Sequence, residues 1–235
     1  MFEFLNQRSL KEEIMDDFFC HGEVVDQTLR ELNQINTYLG GDQLSLNAVK
    51  KLMAKNPKQL YEIVDLGCGG GDTLKLFSKW AKKNNQNLKL TGIDANGYIV
   101  DYAKRNCRKH SNISFSSENI LGERFRESMF DIAHASLFFH HLQEEEIVEL
   151  LKQILGQVSL GIVINDLHRH WVSYLFTKHL ITNWSKSEMV QYDSVLSVER
   201  SFVREELENY LKMADIKNYS LTWRWAYRWE LIIWK

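Results

Sequence analysis

The sequence predicts an α/β fold built on a mostly parallel, seven-stranded sheet that ends in an antiparallel hairpin. After Pro57, the only proline, apolar segments alternate with segments of helical spacing, as in parallel strands joined by helices. A short turn near residues 226–227 separates the last two apolar segments, so we expect these to pair as a hairpin. The expected strands are 61–65, 89–94, 112–116, 130–135, 160–165, 218–224 and 228–234, and the expected helices are 72–84, 97–109, 143–155 and 203–214.

The residues before this sheet domain are predicted to form a helical lid, residues 1–58, in front of a domain of residues 59–235. Apolar side chains recur at helical spacing, and Gly40-Gly41 provides the helix end. A second helix is expected to start at Ser45. The apolar positions of the first helix are Leu29, Leu32, Ile35 and Leu39.

Residues 169–200 interrupt the alternation between the fifth strand and the helix that follows it. Connections at this point usually span about 2–6 residues, and insertions at this end of a sheet tend to carry function. Trp171, Tyr174 and Leu175 indicate a helix with an apolar face. We expect this insertion to form, with the N-terminal helices, a lid over a bound small molecule.

The composition excludes several classes of protein. The net charge is −2, which gives no general attraction to nucleic acid or to anionic membranes. The tryptophans and tyrosine at alternate positions from Trp223 to Trp229 are better explained by sheet packing than by stacking on nucleic acid. Three widely spaced cysteines favour neither a disulfide framework nor a zinc site. No stretch approaches the length of a membrane span, so we expect a cytoplasmic protein.

The segment from Ile63 to Asp72 is the most informative of the chain. An apolar run ends at Asp65, enters a glycine-rich turn, and continues with helical spacing. Such a strand–turn–helix junction is the usual ligand crevice of an open α/β sheet. The dinucleotide fingerprint G-x-G-x-x-G would place glycine at position 72, where this chain has Asp72. A carboxylate there would repel a pyrophosphate at the helix N-terminus, which disfavours NAD, FAD and ATP and favours a cationic nucleoside.

The pattern Asp65-x-Gly67-x-Gly69-x-Gly71 resembles motif I of the class I S-adenosylmethionine-dependent methyltransferases. The resemblance implies a Rossmann-like fold and S-adenosylmethionine as the cofactor. It also implies that this turn, including Cys68, contacts the cofactor. A nicotinamide-dependent reductase remains the alternative for the turn.

A second acid supports a nucleoside ligand. Asp94 ends the predicted second strand, about 20 residues after the glycine turn, where such folds place the acid that binds the ribose hydroxyls. The resemblance implies this role for Asp94 and places Ala95 and Asn96 beside the adenosine. The alternative is that Asp94 only caps the next helix. Asn119 occupies the position of the family's usual adenine-binding acid, with Glu118 directly before it.

Histidines follow the fourth strand. Phe130-Asp131, followed after eight residues by His140-His141-Leu142, resembles a motif of many small-molecule methyltransferases. The resemblance implies that Ala135 and Ser136 pass near the cofactor and that His140 faces the methyl acceptor. The alternative for both histidines is a local structural role before the next helix.

The fifth strand ends in Asp166-Leu167-His168-Arg169, which resembles a stretch of methyltransferases acting on polyketide-derived metabolites. We expect His168 to act as general base or to orient the acceptor, and Asp166 to hold its tautomer or to contact the substrate. Magnesium prefers oxygen ligands, and this turn has one carboxylate, so we expect no metal. The N-terminus of this chain also resembles that of the same group of methyltransferases, at five residues that we expect in a first helix: Arg8, Glu13, Met15, Asp16 and Asp17.

Together these features predict an enzyme that transfers a methyl group from S-adenosylmethionine to a small, aromatic or polyketide-like acceptor. O-methylation is favoured because histidines cluster where a base is needed. The alternatives are C-methylation of a quinone or enolate, and a protein that binds S-adenosylmethionine without transferring its methyl group. The oligomeric state is not indicated by the sequence.

Overall fold

The computed structural model describes residues 2–235 and confirms the predicted sheet. Within this range the order of the seven strands is β3-β2-β1-β4-β5-β7-β6. The first five run parallel, and β7 is antiparallel to both β5 and β6. The strands are β1 (Tyr61–Leu66), β2 (Leu88–Asp94), β3 (Ile113–Ser117), β4 (Phe130–Ser136), β5 (Val158–Leu167), β6 (Tyr219–Arg224) and β7 (Arg228–Trp234).

Helices cover both faces of the sheet. Between residues 2 and 235, no helix is both long enough and apolar enough to cross a membrane. The helices are α1 (Glu23–Tyr38), α2 (Gly41–Lys55), α3 (Asp72–Lys83), α4 (Gly97–Cys107), α5 (Glu123–Arg126), α6 (Glu144–Gln157), α7 (Trp171–Phe176), α8 (Thr182–Trp184), α9 (Glu188–Arg200) and α10 (Arg204–Met213).

Each face of the sheet has its own apolar cluster. On β1, Ile63 packs with α2 and α3, whereas Val64 and Leu66 pack with α6 and α10. Successive strand residues point to opposite faces, so a central strand covered on both sides is apolar nearly throughout. Asp65 is the buried exception in β1, since Glu62 is only half-buried. Asp65 brings a carboxylate to the carboxyl edge of the sheet, where β1 ends.

The N-terminal region differs from its prediction. Arg8 to Asp17 do not form a helix, because the chain before α1 contains only the short 3₁₀ turns Glu3–Leu5 and Ile14–Asp16. The second helix begins at Gly41 rather than at Ser45. Gly40, with φ of 76°, takes the left-handed conformation that glycine allows, and the chain turns there directly into α2.

The two helical layers of the N-terminal region have different positions. Helix α2 lies on the sheet, in the same apolar cluster as α3. Helix α1 instead packs against α9, and α9 also contacts the Ile14–Asp16 turn. The insertion of residues 169–200 consists of α7, a π-helical turn (Thr177–Ile181), α8 and α9. Helix α1, the insertion and the segment before α1 thus lie together beside the strand ends.

Candidate active site

A large cavity opens where the parallel strands end. Its volume is about 1350 Å³, and Asp65, Asp94, Ser136 and Leu167, from the ends of β1, β2, β4 and β5, line it. Pockets for one drug-sized ligand usually measure about 300–1,000 Å³. The cavity is therefore large enough for two molecules side by side.

The glycine turn after β1 forms one wall of this cavity. Gly67 has φ of 63°, and a Cβ built there would lie 2.2 Å from the Phe138 ring. Gly69 has φ of 49° and faces open space, with only Leu29 near an added Cβ, at 3.8 Å. Both positions therefore favour glycine for backbone reasons, and Gly69 leaves the backbone open to a ligand. Cys68 also lines the cavity, whereas Gly71 does not.

Asp94 is bound to the glycine turn itself. One carboxylate oxygen accepts a hydrogen bond from the Gly69 N–H at 3.1 Å, and the other accepts from the Asn96 N–H at 3.0 Å. Burial raises the pKa of Asp94 above its usual value, although these two donors oppose the shift. The helix cap of α4 is Asn96, whose side chain accepts from the Tyr98 and Ile99 N–H groups. Capping is therefore not the role of Asp94.

Most other predicted cofactor residues also lie at this end of the cavity. Ala95, Glu118, Asn119 and Ser136 line it, and Ala135 does not. Asp65 is buried and hydrogen-bonds His134 Nδ1 at 2.7 Å. Position 119 is Asn119, an amide, where the family's pattern has an acid. Its Oδ1 accepts a hydrogen bond from the Leu121 N–H.

His140 and Asp166 form a buried pair at the other end. His140 Nδ1 lies 2.7 Å from Asp166 Oδ1, and the His140 side chain lines the cavity. Burial alone would raise the pKa of Asp166, but the charge and hydrogen bond of His140 lower it below the usual range. The Leu167 N–H also donates to this carboxylate, at 2.8 Å. Asp166 therefore orients His140, not His168 as the sequence predicts.

Glu13 closes the cavity opposite His140. Its Oε1 lies 3.6 Å from His140 Nε2 and accepts a hydrogen bond from the Ser197 hydroxyl at 2.9 Å. Burial raises the pKa of Glu13 to about 7. The carboxyl thus changes charge near neutral pH, directly beside the unpartnered nitrogen of His140.

Two arginines, the buried Arg200 and the half-buried Arg8, fix this N-terminal segment to the histidine loop. Arg200 donates to the Lys11 carbonyl at 2.8 Å, to Asp16 at 2.6 Å and to the His140 carbonyl at 3.1 Å. Arg8 donates to the same His140 carbonyl at 3.0 Å. Hydrogen bonds across such long sequence separations make the segment a fixed wall of the site.

His141 is held differently from His140. Its Nδ1 lies 2.6 Å from Asp16 Oδ1. Burial would raise the pKa of Asp16, but the hydrogen bond with His141 opposes this, and the pKa falls to about 2. Donor atoms of Glu13, His140 and His141 lie within 4.8 Å of one another, a spacing that can hold a metal ion. That group is distinct from the turn after β5, where the sequence analysis considered a metal and expected none.

His168 lies outside the residues that line the cavity. Its Nδ1 accepts a hydrogen bond from the Trp223 indole at 3.2 Å, and its ring meets Trp229 edge-on at 4.9 Å between centroids. Burial lowers its pKa to about 4, so the ring is neutral at pH 7. The expected base of the fifth strand is instead packed against the β6–β7 hairpin.

Comparisons with known proteins agree with this geometry. Residues 63–159 match the family model described as a methyltransferase domain. The match covers less than half of the chain and supports a methyltransferase domain in that part of it. Such a domain implies S-adenosylmethionine as the cofactor and methyl transfer as the reaction. A search of curated proteins finds no match.

Several solved structures share the fold of this chain, three of which follow. A candidate O-methyltransferase from Nostoc punctiforme has 13% identity and a TM-score of 0.58, and the match covers 90% of this chain but only 60% of that one. The plantazolicin methyltransferase BpumL, bound to S-adenosylhomocysteine, has 22% identity, 86% and 79% coverage and a TM-score of 0.61. The magnesium protoporphyrin IX methyltransferase of Synechocystis, bound to S-adenosylmethionine, has 13% identity, 94% and 89% coverage and a TM-score of 0.55.

The site fits this cofactor. The open backbone at Gly69 and the carboxylate of Asp94 provide a surface for a nucleoside, and acids rather than lysines line the cavity. Such a lining suits a sulfonium cation. Sequence reasoning assigned no separate role to three lining residues: Glu13, Arg200 and Arg228.

Proposed function

We propose that this methyltransferase methylates a hydroxyl oxygen of a small, aromatic or polyketide-like acceptor, with His140 as the general base. The observation that carries the proposal is the state of the His140 ring. The residue is 1% exposed, and its Nε2 has no hydrogen-bond partner anywhere in residues 2–235. A buried polar atom without a partner is costly, which is typical of a group that acts on a ligand.

Asp166 determines which nitrogen of His140 carries the proton. The carboxylate already accepts from the Leu167 N–H, and its pKa is lowered, so it is ionised near neutral pH. An ionised carboxylate can only accept, and His140 Nδ1 must therefore donate to it. When the ring is neutral, its lone pair is then on Nε2, where it can take the proton of an acceptor hydroxyl. Positioned bases of this kind contribute roughly 10²–10⁴-fold to a rate.

Apolar side chains in the cavity lining favour an apolar acceptor. The chemistry that S-adenosylmethionine supplies when bound is an electrophilic methyl group on a sulfonium. The remaining contribution of the chain is to align the acceptor oxygen and to exclude water. Alignment can lower the activation barrier by about 7–11 kcal/mol. Apolar side chains from α1 and the residue after it, from the loop after β4 and from the insertion line the cavity: Leu32, Ile35, Leu39, Phe138, Phe176 and Ile181.

The test is an acceptor screen with methyl-labelled S-adenosylmethionine and phenols, hydroxylated polyketides and quinones. We expect a labelled methoxy product, located by mass spectrometry and NMR. His140→Gln should lower kcat by at least about 100-fold while its Kd for S-adenosylhomocysteine stays within twofold.

The matched control is His110→Gln, since His110 lies at the opposite edge of the sheet, before β3, and hydrogen-bonds Ser78. Its kcat should equal that of the wild type. A product methylated at carbon would contradict the O-methylation, and a wild-type kcat in His140→Gln would contradict the base.

A further inference from the structure

Four large apolar side chains are exposed at the mouth of the cavity. Ile14, Phe18, Phe176 and Tyr192 line the cavity, and each is between 44% and 57% exposed; we call these four residues the apolar rim. Large apolar side chains that are scattered singly over a surface need no explanation, but a group of them around one opening indicates a binding surface. A ligand that covers the rim gains the free energy of removing these side chains from water.

The apolar rim comes from two segments that the structure holds together. Ile14 and Phe18 belong to the segment before α1, whereas Phe176 ends α7 and Tyr192 lies in α9, both within the insertion. The carboxylate of Asp193, in α9, accepts a hydrogen bond from the Ile14 N–H at 2.8 Å. Helix α9 also packs against α7. Because these contacts join the two segments, the rim is one continuous surface.

The apolar rim lies beside the proposed base. Glu13, the residue before Ile14, has its Oε1 3.6 Å from His140 Nε2. Tyr192 directly precedes Asp193, which binds the backbone of Ile14. The rim therefore starts one residue from the carboxylate that faces His140, and its exposure places it on the solvent side of the cavity. A substituent of an acceptor bound at His140 can reach solvent over this rim.

The charges at the mouth of the cavity indicate an uncharged substituent. Glu12 and Asp17 are exposed, line the cavity, and lie next to the rim residues in the sequence. Within residues 2–235 the lining of this cavity contains no lysine, and its Arg200 is bound to Asp16. Acids at an opening repel an anion that approaches it. An anionic substituent is therefore disfavoured at the rim, whereas a neutral apolar chain meets no such repulsion.

We propose that the methyl acceptor carries an uncharged alkyl or alkenyl chain, which leaves the cavity over the apolar rim. The hydroxyl-bearing ring occupies the buried space beside His140, and the chain covers Ile14, Phe18, Phe176 and Tyr192. The inference rests on the proposed function, since it places the acceptor hydroxyl at His140. It narrows the acceptor to amphipathic molecules that combine one polar ring with one apolar chain.

The experiment measures binding rather than turnover, with 4-ethylphenol, 4-butylphenol and 4-hexylphenol as probes. Their Kd values are determined by calorimetry on the wild-type protein saturated with S-adenosylhomocysteine. We expect Kd to fall by about two- to fourfold for each added methylene, since the chain moves from water onto an apolar surface. 6-(4-Hydroxyphenyl)hexanoate, whose chain ends in a carboxylate, should bind at least about 10-fold more weakly than 4-hexylphenol. The double variant Glu12→Gln/Asp17→Asn should narrow that difference.

The variants Phe18→Ala and Phe176→Ala each remove one ring of the apolar rim, one from each segment. Each should raise the Kd of 4-hexylphenol by about three- to tenfold and that of 4-ethylphenol by less than twofold. The matched control is Phe19→Ala, since Phe19 is 85% exposed and does not line the cavity. It should leave both Kd values unchanged.

Three results would overturn the proposal. The first is a 4-hexylphenol that binds no more tightly than 4-ethylphenol, or does not bind. The second is an equal loss for both phenols in Phe18→Ala and Phe176→Ala, or the same loss in Phe19→Ala. The third is an acid-terminated chain that binds as tightly as 4-hexylphenol. None of these measurements involves methyl transfer, so a 4-hexylphenol that binds over the rim without being methylated contradicts the proposed reaction and not the rim.

Discussion

The two halves of the cavity are built in different ways. The cofactor half consists of the glycine turn after β1 and Asp94 at the end of β2, and its residues are near neighbours along the chain or on adjacent strands. The acceptor half brings together Glu13, the His140 loop and Arg200, which lie far apart in the sequence. Local backbone geometry positions the first half, whereas long-range hydrogen bonds position the second. Short sequence motifs therefore describe the first half better than the second.

The largest effect should come from the acceptor half, in Asp166→Asn. An asparagine amide can donate to His140 Nδ1 and so move the ring proton to Nε2, which removes the base. We expect kcat to fall by roughly 10²–10⁴-fold, measured with the acceptor found in the screen. The Kd for S-adenosylhomocysteine should stay within twofold, because Asp166 lies outside the cavity lining.

The control for this variant is Asp131→Asn, which alters another buried aspartate, one bound to Lys58 and to the Ser159 hydroxyl away from the cavity. Its kcat should match the wild type at a temperature where both variants are folded. A wild-type kcat in Asp166→Asn would contradict the assignment of catalysis to the acceptor half and of cofactor binding to the other half.

A smaller effect concerns the stability of the acceptor half and its dependence on pH. Burial raises the pKa of Glu13 from 4.5 to about 7 in the folded protein. Between these values the folded chain keeps the proton and the unfolded chain has lost it, so stability falls as the pH rises through this window. The loss should be on the order of 3 kcal/mol, as seen in urea unfolding from pH 4.5 to 8.

Glu13→Gln should remove this component of the pH dependence, and Glu12→Gln, at the exposed neighbouring position, should retain it. The informative quantity is the difference in unfolding free energy between the wild type and Glu13→Gln at each pH. A difference that stays constant from pH 4.5 to 8 would mean that Glu13 is not held in a buried site.

The smallest of these effects belongs to the cofactor half. Asp94→Asn replaces a carboxylate that accepts from the Gly69 and Asn96 N–H groups. We expect the Kd for S-adenosylhomocysteine to rise by about 10- to 100-fold, since hydrogen bonds to charged groups are worth about 1.5–3 kcal/mol. At saturating cofactor, kcat should change little. Asp101→Asn, at an exposed position of α4 that pairs with Lys104, is the control, and an equal rise there would exclude a specific role for Asp94.

Sequence patterns predicted the sheet because its determinants are local. Apolar runs such as the one ending at Leu66 and the hairpin turn between β6 and β7 are each contained in a few residues. The glycine turn and Asp94 could be found for the same reason. The start of α2 was predicted four residues late, because the glycine that ended α1 in the prediction, Gly41, is the first residue of the next helix.

The acceptor half required contacts that no local pattern contains. His168 and Asp166 are two residues apart on one strand, yet the carboxylate reaches the loop after β4 while the imidazole packs on Trp229. Glu13 was expected in a first helix that the structure does not contain, and only its contact with His140 shows its place in the site. The sequence indicates only that Arg228 lies in the hairpin. The structure shows that it is buried against α1 and α2.

The most direct test of the division between the two halves is a crystal structure with S-adenosylhomocysteine and the hydroxylated acceptor from the screen. We predict that the acceptor oxygen lies within about 3.2 Å of His140 Nε2, the reach of a hydrogen bond to a general base. An acceptor oxygen that lies beyond the reach of His140, with no bridging water, would contradict the account.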